Sequence, residues 1–320
     1  MSTTKATPKS SFNSKILLFG EYSIIQNSMG LSIPFESYRG TLAFMEEGMS
    51  LTLTMRESNE SLKQFAAYLC GLHNDGKLLV KMDIDRLEQD ISKGLYFEST
   101  IPQGFGVGSS GALVAALYDK YATEKIDTQE VTGEKLQQLK QVFSQMESYF
   151  HGTSSGMDPL ICYIDLPVLM KSKTDIGTVD LPEDKSTGQG AIFLLDTGRP
   201  GRTQPLVQYF LDKCKEKDFV ELCRSKFIPY NDQCIKDFLK GETKSLFYNL
   251  YHLSKFLLDN LTPMVPKLFR ELWMQGLETK AYYLKLCGSG GGGFILGFTE
   301  DLEKAQYYLK DHDIKVIKRF

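Results

Sequence analysis

The segment Ile101-Pro-Gln-Gly-Phe-Gly-Val-Gly-Ser-Ser-Gly111 constrains this chain more than any other stretch. It follows an apolar run, Gly94 to Thr100, that reads as a strand, and it precedes Ala112, Leu113, Ala115, Ala116 and Leu117, whose residue types favour a helix. Glycines at 104, 106 and 108 free the backbone to turn so that several N–H groups point at one anion. The helix that follows adds its positive N-terminal end. The pattern reads as a phosphate cradle; the plainer alternative is a tight turn in which a serine caps the helix. Residues 106 to 111 also fit G-x-G-x-x-G, but a dinucleotide site needs a strand after the helix, with an acidic residue near its end. Here a polar stretch, Thr123 to Glu134, leads to another helix, which excludes a βαβ unit. The signature G-x-x-x-x-G-K-[ST] is absent from the chain.

Around this loop the elements do not alternate regularly, so the fold class is α+β. Strands are expected at Lys15 to Phe19, Thr41 to Phe44 and Leu51 to Met55, and helices at Ser61 to Leu72, Asp85 to Ile91 and Glu134 to Phe150. In the last of these, Leu136, Leu139, Val142, Phe143, Met146 and Phe150 fall on one helical face. The polar, turn-rich stretch 171–190 suggests a boundary between two domains, 1–185 and 186–320. Beyond it come a strand at Ala191 to Asp196, helices near 203–214, 216–240, 244–260 and 264–277, and strands at Tyr282 to Cys287 and Gly293 to Phe298. A helix over Leu302 to Lys310 and a strand over Ile314 to Ile317 complete the pattern.

Composition removes several function classes. The 320 residues carry 37 basic and 40 acidic side chains without a block of one sign, so a broad basic field for nucleic acid or an anionic membrane is not expected. No stretch reaches the ~18 uncharged apolar residues of a membrane span, and Met1 to Ser14 is too polar for a secretory signal, so a cytoplasmic location is expected. The six cysteines form no C-x-x-C pair, and reduced, mostly buried thiols are expected.

A second chemical segment is Glu147-Ser-Tyr-Phe-His-Gly-Thr-Ser-Ser-Gly-Met-Asp158-Pro159, with two carboxylates on either side of a glycine-serine loop. Taken singly, Asp158 before Pro159 suggests a helix N-cap, Glu147 a solvated or ion-paired glutamate, and His151 a loop histidine satisfied by backbone. Two carboxylates converging with a phosphate loop and a lysine would instead suit phosphoryl transfer, which needs a metal ligand, a group to orient the nucleophile, and cations around the phosphates. The run Gly288-Ser-Gly-Gly-Gly-Gly293 between two strands is either a flexible hairpin or a place where backbone must approach something closely.

Three segments in this order, Lys15-Ile-Leu-Leu-Phe-Gly-Glu-Tyr22, Pro102 to Ala112 and Leu286 to Gly293, resemble the motifs of the GHMP kinases and span nearly the whole chain. Within that family, Glu147-x-x-x-His151-Gly-x-x-Ser155-Gly-x-Asp158 is most similar to the mevalonate kinases. The resemblance implies a ribosomal-protein-S5-like N-terminal domain and a ferredoxin-like C-terminal domain. It implies ATP and Mg²⁺ as cofactors and a small-molecule alcohol acceptor, with mevalonate first, phosphomevalonate the alternative, and a non-catalytic ligand-binding member the last. Carried over by position, Asp158 is the base, Lys15 and Thr203 its catalytic neighbours, and Ser110 and Glu147 the metal ligands. Pro102, Gly104, Gly106, Gly108, Ser109, Ser110 and Gly111 would wrap the ATP phosphates, while Glu21, Tyr22, Gly288, Ser289 and Gly290 would line the substrate pocket. The assembly implied is a monomer or homodimer. Asn13-Ser14 and Tyr22 depart from the Pro-Gly and histidine usual in mevalonate kinases.

Overall fold

The computed structural model describes residues 11–45, 52–128, 130–201 and 203–320. In chain order they form β1 (Phe12–Phe19), β2 (Gly30–Phe44), α1 (Leu53–Asn74), α2 (Ile84–Ser92), β3 (Leu95–Ser99), α3 (Ser109–Tyr121), α4 (Gly133–His151), α5 (Met157–Ile164), β4 (Val168–Met170) and β5 (Ile176–Thr178). These are followed by β6 (Ala191–Asp196), α6 (Thr203–Lys213), α7 (Lys217–Leu222), α8 (Ile228–Lys240), α9 (Thr243–Asn260), α10 (Arg270–Thr279), β7 (Tyr283–Leu286), β8 (Phe294–Thr299), α11 (Leu302–Tyr308) and β9 (Ile314–Arg319). Packing divides them into two units by more than one cut. Of the described residues, the first takes those within 11–15, 34–101 and 108–166, and the second those within 16–33, 102–107 and 167–320.

Most of the expected elements form, and the exceptions have local causes. Leu51 to Met55 alternates like a strand, yet the Thr52 side chain accepts a hydrogen bond from Met55 N, capping α1, which then runs on to Asn74. Leu51 lies outside the described residues. The helix expected over 216–240 is interrupted by a π-helical turn at Cys223–Phe227. Pro229, two residues into α8, has no N–H to give to the preceding turn, which accounts for the break in regular pairing.

In the first unit, residues Gly40 to Phe44 of β2 pair antiparallel with β3, from Gly40 opposite Ser99 to Phe44 opposite Leu95. α3 buries residues on most of its circumference, including Ala112, Val114, Ala115, Ala116, Leu117 and Tyr118. Such a helix must be central, and the apolar faces of α4 (Leu136, Leu139, Val142, Phe143, Met146) and α5 (Leu160, Ile161, Cys162) are buried as well. Each fully buried Leu or Phe here contributes roughly 1.5–3 kcal/mol. At one edge the Asn13 amide donates to both carboxylate oxygens of Asp165, at 3.0 and 3.2 Å, joining the start of β1 to the residue that caps α5.

The second unit contains a four-stranded antiparallel sheet in the order β7-β8-β6-β9. With helices between β6 and β7 and again between β8 and β9, this is the split βαβ, ferredoxin-like arrangement expected from the resemblance. β6 lies in the interior of the sheet, with Ala191 to Leu195 all buried. Gly30 to Ser32 of β2 pair with β4, which pairs with β5. None of the six cysteines, all among the described residues, forms a disulfide, and four of them are buried. Among the described residues no helix is long and apolar enough to cross a membrane.

Candidate active site

In the first unit the helix α3 begins on Gly108, whose φ of +81° puts it in the left-handed region. A Cβ there would stand 2.9 Å from Lys15 Cγ, so a side chain at 108 would have to displace the lysine. Gly108, not a serine, is the N-cap, and no side-chain cap bond is made. Ser110 is thereby released for another contact. Its hydroxyl donates to Glu147 Oε1 at 3.0 Å and lies 3.1 Å from His151 Nε2. Since that hydroxyl has one proton, Nε2 carries the hydrogen of the second bond while Glu147 accepts the first.

Glu147 is not solvated at the edge of α4. It is 3% exposed, and its second oxygen, Oε2, accepts from the Ser154 hydroxyl. Burial, reinforced by the negative charge of Asp158, pushes its pKa up to about 7, against the two serine bonds and Lys15, which act the other way. His151 ends α4 and meets Ser110 through its side chain. Partial burial holds its pKa below the usual value; Asp158 opposes this and Lys15 adds to it.

Asp158 does not cap α5. Gly156 occupies the N-cap, and Asp158 sits in the first turn of the helix, where a carboxylate is favoured by the N–H groups of that end. Lys15 Nζ lies 2.9 Å from Asp158 Oδ1; the lysine side chain is 4% exposed and the aspartate 38%. A buried ammonium thus holds a carboxylate that solvent and ligand can reach. Gly111 permits the arrangement, because a Cβ there would stand 2.8 Å from the Asp158 backbone carbon. Lys15, Gly108, Ser109, Ser110, Gly111, Glu147 and Asp158 therefore fall together in one unit. Their oxygen donors, a serine hydroxyl and a carboxylate, are hard ligands of the kind Mg²⁺ takes. No group of three or more His, Cys, Asp or Glu side chains poised for a metal occurs among the described residues.

The other motif residues belong to the second unit. Gly104 and Gly106, with φ of +77° and +80°, lie against loops of that unit. A Cβ at 106 would stand 2.6 Å from the Cys287 carbonyl oxygen, and Gly201 N donates to the Gly104 carbonyl at 2.8 Å. The run 288–293 is no free hairpin. Gly291 N donates to Met264 O and Gly293 N to Arg199 O, both at 2.6 Å, and Phe294 N donates to Phe105 O at 3.3 Å. Pro102 is half-buried beside these glycines in sequence. Tyr22, at φ 62°, donates its hydroxyl to the Ser289 carbonyl at 2.6 Å, in the turn between Gly288 and Gly290. Burial, with Glu21 beside it, pushes its pKa up, so the phenol stays neutral. Glu21 accepts two 2.6 Å hydrogen bonds from Lys285, and both side chains are buried. Thr203 opens α6, but its side chain and Arg202 lie outside the described residues; Arg199 is exposed.

Residues 77–165 match the family model described as the GHMP kinases N terminal domain. The chain carries a GHMP kinase N-terminal domain in the GHMP kinase fold. No curated protein matches it in sequence. Among solved structures it is similar to L. major mevalonate kinase in complex with R-mevalonate, at 16% identity over 96% of this chain and 91% of that one, with TM-score 0.61. It is similar to Streptococcus pneumoniae phosphomevalonate kinase in complex with phosphomevalonate and AMPPNP, at 16% identity, 96% and 99% coverage and TM-score 0.63. It is also similar to Lactococcus lactis galactokinase complexed with galactose, at 13% identity, 97% and 93% coverage and TM-score 0.62.

Sequence reasoning missed Ser154, the side-chain role of His151, and Lys285. A lysine inside the apolar strand Tyr-Tyr-Leu-Lys-Leu-Cys, residues 282–287, was the signal available for Lys285. Ser154 offered none, since its partner is a carboxylate seven residues back and a serine in a glycine-serine loop is ordinary.

Proposed function

We propose that this chain is a GHMP kinase, an ATP- and Mg²⁺-dependent phosphotransferase acting on the primary hydroxyl of mevalonate. The observation that carries the chemistry is the 2.9 Å pair of buried Lys15 with accessible Asp158, beside the N-terminus of α3 and the Ser110–Glu147 pair. Asp158 orients the acceptor hydroxyl and takes its proton as the oxygen bonds to the γ-phosphorus and the bond to the ADP oxygen breaks. Lys15 pairs with Asp158 and offsets charge on the transferring group. Ser110 and Glu147 are the residues to hold Mg²⁺, which supplies charge neutralisation at the phosphates. The α3 N-terminus, with Gly108 and Gly111 beside it, supplies N–H donors for phosphate oxygens. A nucleotide analogue in the S. pneumoniae phosphomevalonate kinase supports ATP as donor, and R-mevalonate in the L. major enzyme supports the acceptor class.

The test is ADP release by purified protein with ATP and Mg²⁺ across mevalonate, phosphomevalonate, galactose and homoserine. Mevalonate is expected to be used at least about tenfold more efficiently than the others, roughly the selectivity of 1–3 kcal/mol that a few pocket contacts provide. A preference for phosphomevalonate would move the acceptor to the phosphorylated acid. No turnover of any acceptor would favour a ligand-binding role.

A further inference from the structure

The loop between the two carboxylates, residues 152–156, is held by serines on both sides. Ser144 Oγ donates to the Ser154 carbonyl at 2.6 Å, and Ser154 N donates to Ser148 Oγ at 3.2 Å. Ser144 and Ser148 are four residues apart on α4 and so share the face over which the loop folds back. The Ser154 hydroxyl accepts from Gly156 N at 3.0 Å and donates to Glu147 Oε2. Every polar group of Ser154 is thus committed, and its one hydroxyl proton goes to Glu147. Gly156 is essential to this turn, because a Cβ there would stand 2.1 Å from the Lys140 carbonyl oxygen.

A carboxylate on a three-bond side chain has several rotamers, and fixing one oxygen aims the other. With Oε2 held by Ser154, Oε1 is directed at Ser110. We infer that Ser154 is a positioning residue that presets the Glu147 carboxylate and thereby sets the affinity of the Ser110–Glu147 pair for a divalent cation. The inference rests on the reading that this pair holds the cation. Ser154 contacts neither nucleotide nor acceptor in this role; it acts through Glu147.

The test is Mn²⁺ binding in the presence of ADP, followed by the free-Mn²⁺ electron paramagnetic resonance signal, a measurement that needs no turnover. Ser154→Ala is expected to weaken Mn²⁺ binding about tenfold, the lower end of the loss for an outer-shell partner. Its metal-free affinity for ADP is expected to stay unchanged, and Ser154→Thr, which keeps the hydroxyl, is expected to bind Mn²⁺ normally. Ser144→Ala loosens the same loop but leaves the Ser154 hydroxyl, so a purely structural role would make it weaken Mn²⁺ binding as much as Ser154→Ala does. That equality overturns the inference. So does normal Mn²⁺ binding by Ser154→Ala while Glu147→Gln binds weakly. If Glu147→Gln itself binds Mn²⁺ normally, the assignment of Glu147 as a cation ligand fails first, a result distinguishable from failure of the serine alone.

Discussion

Replacing Lys285 by methionine removes an ammonium while nearly preserving the shape of its stem. Lys285 and Glu21 side chains are 2% and 5% exposed, and both Glu21 oxygens receive Nζ at 2.6 Å, with the Phe19 ring centroid 5.6 Å from the same ammonium. After Lys285→Met the carboxylate keeps its burial and loses this donor. Breaking a buried pair in this way costs about 3–5 kcal/mol, a large part of the 5–15 kcal/mol typical of a domain. The midpoint of thermal unfolding is then expected to fall by roughly 10 °C, taking 2–4 °C per kcal/mol for a unit of this size. The double variant Glu21→Gln/Lys285→Met leaves no buried charge of the pair and is expected to be more stable than Lys285→Met alone. Urea unfolding of the four species of this cycle measures the coupling. A loss under about 1 kcal/mol in Lys285→Met, or a double variant equal to the sum of the singles, would refute the claim that Glu21 depends on this lysine.

Three further outcomes follow from the first unit. Asp158→Asn is expected to fold and bind ATP while kcat drops by ~10²-fold or more, checked by circular dichroism, nucleotide titration and ADP release. Gly108→Val places a branched side chain at φ +81° against Lys15, and a loss of both ATP affinity and turnover is expected by calorimetry and assay. Glu147, with its pKa raised to about 7, favours its protonated form in the fold, so its contribution is complete below its ordinary value near 4.5 and is lost as pH rises through about 7. In EDTA the thermal midpoint should therefore fall between about pH 4.5 and 7, Glu147→Gln should flatten that fall, and Mg²⁺, which competes with the proton, should bind better as pH rises; a profile identical in wild type and Glu147→Gln would sink the assignment.

Much of this is legible in the sequence alone. The period of α4, the Ala/Leu run of α3 and the glycine spacing are local signals, and they place Ser110 at a helix start and Glu147 near a helix end. What was illegible depended on partners distant in sequence or on competition between local rules. Leu-Thr-Leu-Thr-Met alternates as a strand does, but a threonine hydroxyl in capping position outweighs two residues of alternation. Asp158-Pro159 has the form of a cap, yet Gly156 reaches the left-handed conformation more cheaply and takes the cap two residues earlier, leaving Asp158 to meet Lys15. The burial of Glu147 could not be read from α4 alone, because the groups that enclose and satisfy it, Ser110 and Ser154, come from other segments.

The packing of Phe105 against Phe294, and of the glycines beside them, has a consequence for how the second unit is made. β6 is complete about a hundred residues before its inner neighbour β8, which at ~5–20 residues per second of synthesis leaves it waiting for about 5–20 s. During that interval Ala-Ile-Phe-Leu-Leu-Asp is a short, almost uncharged, strand-forming segment with both edges unpaired, the kind of sequence that adds to copies of itself. Residues 16–33 and 102–107, made earlier still, also wait for their partners, since Tyr22 and Ser289 are separated by 267 residues. Contacts of such separation close slowly. Yield from the ribosome for this chain should therefore respond to growth temperature and to chaperones that shield exposed strands, and chains interrupted between residues 200 and 290 should collect in the insoluble fraction.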